Sequence, residues 1–135
     1  MATKTSETVA ALRQASDGLN YQSETDAPWS VVAWPDATGE PTADAIRRRG
    51  RHKSSLPVAE QSVDEFFAPL VGEQDWYGDE EKSTAAKYRA LLDVVKQRLS
   101  GAKVFRVGRR KVAVYVVGST KEGGWAGLKT TAVET

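Results

Sequence analysis

Apolar residues between positions 79 and 100 recur at every third or fourth place: Ala85, Tyr88, Leu91, Leu92, Val95 and Leu99. That spacing gathers them on one face of a helix that must be buried. Lys82, Arg89, Asp93 and Lys96 fall mostly on the other side. Asp79 is placed to cap this helix by accepting from free backbone N–H groups of the first turn. Glu80 and Glu81 follow where the helix dipole favours negative charge. Ser100-Gly101 reads as the stop, with Gly101 in a left-handed cap conformation. The period then changes from 3.6 to 2. Lys103–Val107 and Lys111–Val117 read as strands joined by a tight Gly108-Arg109-Arg110 connection. Val112, Val114 and Val116 point one way and Ala113, Tyr115 and Val117 the other, so this strand is covered on both faces. A polar turn, Gly118–Gly124, leads to a last strand, Trp125–Val133.

The pattern ahead of the long helix is less regular. Residues 5–17 predict a helix with Val9, Leu12, Ala15 and Leu19 as its stripe, Thr5 or Ser6 as its cap and Gly18 at its end. Ser23–Pro28 is a polar loop, because Pro28 biases Ala27 away from helix. Trp29–Trp34 is a short strand of aromatic and β-branched residues. Pro35, Gly39, Pro41, Gly50 and Pro57 punctuate residues 35–57, leaving room for a short helix from Thr42 to Arg49. The basic run that follows is expected to be a mobile surface excursion. Ser62 and Glu65 fit a capping box, each satisfying the other's backbone N–H, at the head of a helix over 63–70. These elements predict an α/β protein: a three-layer α/β/α sandwich with a mainly antiparallel sheet and helices over both faces.

Composition narrows the function more than the fold. A length of 135 residues fits one domain spanning 1–135. There is no cysteine, which excludes disulfides and thiolate chemistry, and one histidine, which excludes a multi-histidine metal site. A formal charge of +1 gives no whole-chain pull toward nucleic acid or membrane, so any such bias is local. No apolar run approaches the roughly 20 residues of a membrane span. The first residues lack a signal-peptide pattern, so a soluble cytoplasmic protein is expected.

Candidate chemistry is sparse. Walker-type, G-x-S-x-G and H-E-x-x-H motifs are absent, and the chain reads as a non-enzyme. Acidic residues gather at Glu24 and Asp26, at Glu73, Asp75 and Asp79–Glu81, and at Glu134 beside the terminal carboxylate. Acids at a helix N-terminus are first of all helix support. Asp75-Trp76 is different: a tryptophan beside a carboxylate on a loop fits an interface anchor, since tryptophan is enriched at binding hot spots. It fits a core plug equally well. Arg47, Arg48, Arg49, Arg51 and Lys53 could grip phosphates, but the run lacks the interleaved aromatics that stack bases. His52 lies within this run, where neighbouring positive charge disfavours its protonation.

Several stretches together resemble the nuclease A inhibitor family, whose members block a sugar-non-specific, magnesium-dependent ββα-metal nuclease. They are Gln14–Leu19, Ser23-Glu24, Asp75-Trp76-Tyr77 with Asp79-Glu80-Glu81, Val114–Gly118 and the ending Val133-Glu134-Thr135. The resemblance implies a PR-1-like α/β/α sandwich that fills the nuclease's cleft one to one and mimics bound nucleic acid. It implies that Glu24 points to where a phosphate lies, that Asp75 and Trp76 anchor the interface, and that Glu134 adds charge beside them. It implies that the Thr135 hydroxyl reaches the partner's magnesium, the chain needing no metal or cofactor of its own. The basic run 47–53 departs from the family's pattern, and near Glu24 it would weaken attraction to a basic cleft. Two other readings stand beside this one: a non-catalytic protein-binding module of the same fold, and a nucleic-acid-binding protein using the basic run.

Overall fold

In the computed structural model, which describes residues 4–121 and 123–133, the strongest alternation in the sequence becomes the middle strand of a sheet. The elements in order are α1 (Lys4–Ser16), β1 (Asn20–Gln22), β2 (Asp26–Pro28), β3 (Ser30–Trp34), α2 (Ala43–Arg49), β4 (Val58–Ser62), α3 (Val63–Val71), α4 (Asp79–Arg98), β5 (Ser100–Val107), β6 (Lys111–Ser119) and β7 (Trp125–Val133). Five strands pair in the order β3-β7-β6-β5-β4, every neighbour antiparallel, and β1 pairs with β2 in a separate hairpin.

The two faces of β6 feed two cores, as the alternation requires. Val112, Val114 and Val116 join Leu12 of α1, Phe66 and Phe67 of α3, and Tyr88, Leu91 and Val95 of α4. Ala113, Tyr115 and Val117 join Ala45 and Ile46 of α2, with Phe105 and Trp125. Three helices thus lie on one face and α2 on the other. The stripe expected on α4 is the buried one, with Leu92 only half-buried.

Several boundaries differ from expectation, each for a physical reason. Asp79 does not cap α4. Gly78 is the N-cap and Asp79 the first helical residue, while the Glu81 carboxylate accepts from the Gly78 N–H at 2.9 Å. The helix also ends before Ser100-Gly101: Leu99 is already extended, with φ −120° and ψ 139°. Gly101, at φ 60°, serves instead the irregularity in the β5–β6 register between Ser100 and Lys103. Thr5 and Ser6 lie inside α1 rather than ahead of it. At α3 the Ser62 Oγ accepts from the Glu65 N–H at 3.1 Å, but the Glu65 carboxylate takes the Ser62 hydroxyl at 2.9 Å. The expected bond back to the Ser62 N–H is replaced because Ser62 is the last residue of β4, opposite Lys103.

Three short elements were not foreseen: β1, β2 and β4. The loop Ser23–Pro28 contains β2, closed against β1 by a three-residue turn. Pro28 is tolerated because it ends that strand. β4 forms an edge whose side chains are mostly exposed, so its sequence carries no alternating apolar signal. The basic run is no free excursion: Arg47–Arg49 belong to α2, which ends at Gly50 as expected, while Thr42, expected as its first residue, is its N-cap.

One buried hydroxyl joins the layers. The Trp29 indole N–H donates to Tyr88 Oη at 3.0 Å, and that hydroxyl donates to the Asn20 carbonyl at 2.7 Å. Tyr88→Phe strands the Trp29 donor and the Asn20 acceptor. It is expected to lower unfolding stability by about 1–3 kcal/mol, read as a lower urea midpoint with an unchanged slope. A midpoint equal to wild type would show that the relay contributes nothing net.

Candidate protein-binding edge

Glu24 sits exposed in the β1–β2 turn, which is stapled to the end of β7. Its backbone N–H donates to the Val133 carbonyl at 3.3 Å, and the Val133 N–H donates to Ser23 Oγ at 3.0 Å. Thr130 Oγ1 donates to the Pro28 carbonyl at 2.9 Å, fixing the hairpin's other strand. Glu134 and Thr135 follow Val133 directly and lie outside the described residues.

The connection between α3 and α4 is held from below. Arg89 donates to the Val71 carbonyl at 2.8 Å and pairs with Glu73 at 3.3 Å. The Tyr77 N–H donates to the Gln74 carbonyl at 3.0 Å, which closes a turn with Asp75 and Trp76 at its tip. The alternatives for Trp76 are separated here. Its side chain is 73% exposed, so it plugs no core, and it rests only edge-on against Tyr77 with ring centroids 4.7 Å apart. Asp75, Asp79 and Glu80 are exposed and form no salt bridge among the described residues.

These two features border one groove of about 410 Å³. Trp76, Tyr77, Glu80 and Glu81 form one wall; Asn20 and Gln22 of β1 form the other; Tyr88 lies at the bottom. Gln22 stands two residues before Glu24, so the hairpin and the acidic shoulder are parts of one surface. Glu80 and Glu81 therefore do more than support a helix: they line the groove. A hydrophobic ring among uncompensated carboxylates suits a cationic partner surface. Among the described residues, no three histidine, aspartate or glutamate side chains converge as a metal site. No helix among them is long and apolar enough to cross a membrane.

The basic residues lie on the opposite face of the sheet. Arg47 and Arg48 both pair with Asp44, at 2.7 and 3.4 Å, and Arg47 also donates to the Leu56 carbonyl. Arg49 pairs with Asp36 at 3.2 Å and lies over the Trp125 ring. Arg51 and Lys53 are exposed. Three of the five are thus tied into α2 and its surroundings rather than presented as an open phosphate grip.

The model of the family described as "NuiA: Nuclease A inhibitor-like protein" matches residues 6–135. The chain belongs to the nuclease A inhibitor-like protein family. Membership makes it a non-enzymatic protein and points to nuclease inhibition and to a nuclease A-type partner. No curated protein matches the chain. The family match covers both parts of the acidic edge, and it also covers the basic run.

His52 was expected to be held neutral by its basic neighbours. The larger cause is burial, and the charge that adds to it is Lys129, from β7. His52 Nε2 and Tyr115 Oη are hydrogen-bonded at 2.7 Å. Gly50 makes this possible, since a Cβ there would collide with the Tyr115 hydroxyl and sit 2.7 Å from the His52 ring. Nothing in the sequence signals this pair, whose members are 63 residues apart. With the folded imidazole below its ordinary value of 6.5, the unfolded chain takes up a proton that the folded one refuses. This contribution to stability is complete above about pH 6.5 and shrinks as pH falls through that value. His52 is the only histidine, so its ring protons can be followed directly by NMR. Their midpoint should lie below 6.5, and His52→Gln should flatten the fall of the urea midpoint over that range. A ring midpoint at or above 6.5 would contradict the buried setting.

Proposed function

We propose that this protein inhibits a sugar-non-specific, magnesium-dependent ββα-metal nuclease by filling its active cleft, one molecule to one. The observation that carries this reading is Trp76, exposed on a hydrogen-bonded turn beside Asp75, Asp79 and Glu80, which form no salt bridge among the described residues. A cleft that must attract a polyanion is electropositive, and such an edge complements it and speeds encounter. Glu24 takes the place of a phosphate. Asp75 and Trp76 anchor the contact, and Glu134 adds charge. Thr135 offers its hydroxyl to the partner's magnesium, which favours oxygen ligands. Family membership supports the partner class. Connectivity supports the grouping: Glu24 is bonded to Val133, and the two residues beyond span at most about 7 Å. The helices on both faces of an antiparallel sheet support assignment to the PR-1-like α/β/α sandwiches; in this reading the protein is one domain that acts in the cytoplasm.

The decisive experiment is a DNA-cleavage titration at fixed Mg²⁺ with the ββα-metal nuclease of the same source. Cleavage should vanish near one equivalent of inhibitor. Glu24→Ala, Trp76→Ala and deletion of Thr135 should each weaken inhibition by about 30-fold or more, the loss expected when a hot-spot side chain or one partner of a buried charged contact is removed. All three sites are exposed or terminal, so the urea midpoint should hold. Full cleavage at excess protein would reject inhibition of that nuclease. Unaltered potency in all three variants would leave inhibition standing and reject these contacts.

A further inference from the structure

We propose that the sheet face opposite the three helices carries a second site, one that takes a small carboxylate with an apolar body. It meets the acidic edge at Val133, whose backbone holds the β1–β2 turn, and does not depend on the inhibitor reading. Strand register sets it out. Val107, Ala113 and Thr131 face each other across β5, β6 and β7, and Tyr115 faces Lys129 one step along. α2 covers the other end of this face, where Ala45 and Ile46 pack with Phe105, Val117 and Trp125. After Gly50 the chain crosses Tyr115, and His52 and Leu56 reach over the remaining end. The small Ala113 leaves a hollow of about 390 Å³ there. That is the size of a pocket for a small organic molecule.

The chemistry of the walls is one-sided. The floor is Val107 and Ala113, and the rim carries Lys111 and Lys129. Among the described residues, no aspartate or glutamate lines the hollow. Neither lysine forms a salt bridge among the described residues. Lys129 is half-buried, its ammonium 5.4 Å from the centre of the Tyr115 ring, a contact that leaves its N–H donors available. Lys111 stands four residues from Tyr115 along β6, at the far mouth. A neutral apolar guest would leave the half-buried ammonium uncompensated, and a bare inorganic anion would leave the apolar floor wet. A guest joining a carboxylate to a hydrocarbon or aromatic body satisfies both: its charge lies at Lys129 beside His52 and Thr131, and its body covers Val107 and Ala113.

The test titrates the full chain with phenylpropionate and, in parallel, with the neutral phenylpropanol, followed by amide NMR shifts. Phenylpropionate should bind saturably, with the largest shifts at Ala113, Lys129 and Thr131, and about tenfold more tightly than the alcohol. Lys129→Met should weaken it by about tenfold, and Lys129→Arg should retain it. The amide spectrum of each free variant reports whether its fold is kept. Equal binding of acid and alcohol, an affinity unmoved by Lys129→Met, or no saturable shift up to about 10 mM would overturn the site.

Discussion

The Tyr88 hydroxyl is the point through which the helical layer, the hairpin and the sheet are joined. It accepts from Trp29, just ahead of β3, and donates to Asn20, the first residue of β1. Both partners are buried or half-buried polar groups that water would otherwise have to satisfy, so the cost of leaving them unmade exceeds the gain of making them. The same residue lies at the bottom of the groove between the hairpin and the acidic shoulder. Burial holds this hydroxyl's pKa above its ordinary value, so it remains a donor at any physiological pH. Core stability and the shape of the candidate interface therefore rest on one side chain.

The sheet also sorts charge. A net charge near zero conceals two unlike surfaces. On the three-helix side, Asp75, Asp79 and Glu80 stand around an exposed tryptophan with no salt bridge among the described residues. On the other, arginines of α2 are paired with Asp36 and Asp44. A protein that must enter an electropositive cleft needs a local field of one sign, not a net charge. With the basic run on the opposite face of the sheet from the hairpin, the two charge sets do not share a surface.

The parts legible in the sequence are those whose periodicity is strong and local. The buried face of α4, the double alternation of β6, the strands flanking it and the Thr42-capped α2 all follow from residues near one another in the chain. What stayed hidden depends on distant pairing. β1 and β2 are three residues each, and β4 shows mostly exposed side chains; none carries enough apolar signal to announce a strand. β4 exists because β5 offers it an edge. Glu81 displaces Asp79 as the capping carboxylate because Gly78 brings its own N–H within reach. Leu99 leaves the helix because β5 begins immediately after it.

The candidate site divides the same way. Sequence alone determined that a tryptophan and several carboxylates stand together before a long amphipathic helix, because those residues are neighbours and the helix period is local. It could not decide whether Trp76 faces solvent, since an aromatic on a loop serves a core or an interface equally well. Only the tertiary structure decided that, by closing the core with Phe66, Phe67 and Tyr88 and leaving Trp76 outside. It also decided that Glu24 meets the end of β7 and that His52 meets Tyr115 and Lys129. Those meetings are set by strand order and register, which bring together residues far apart in the chain.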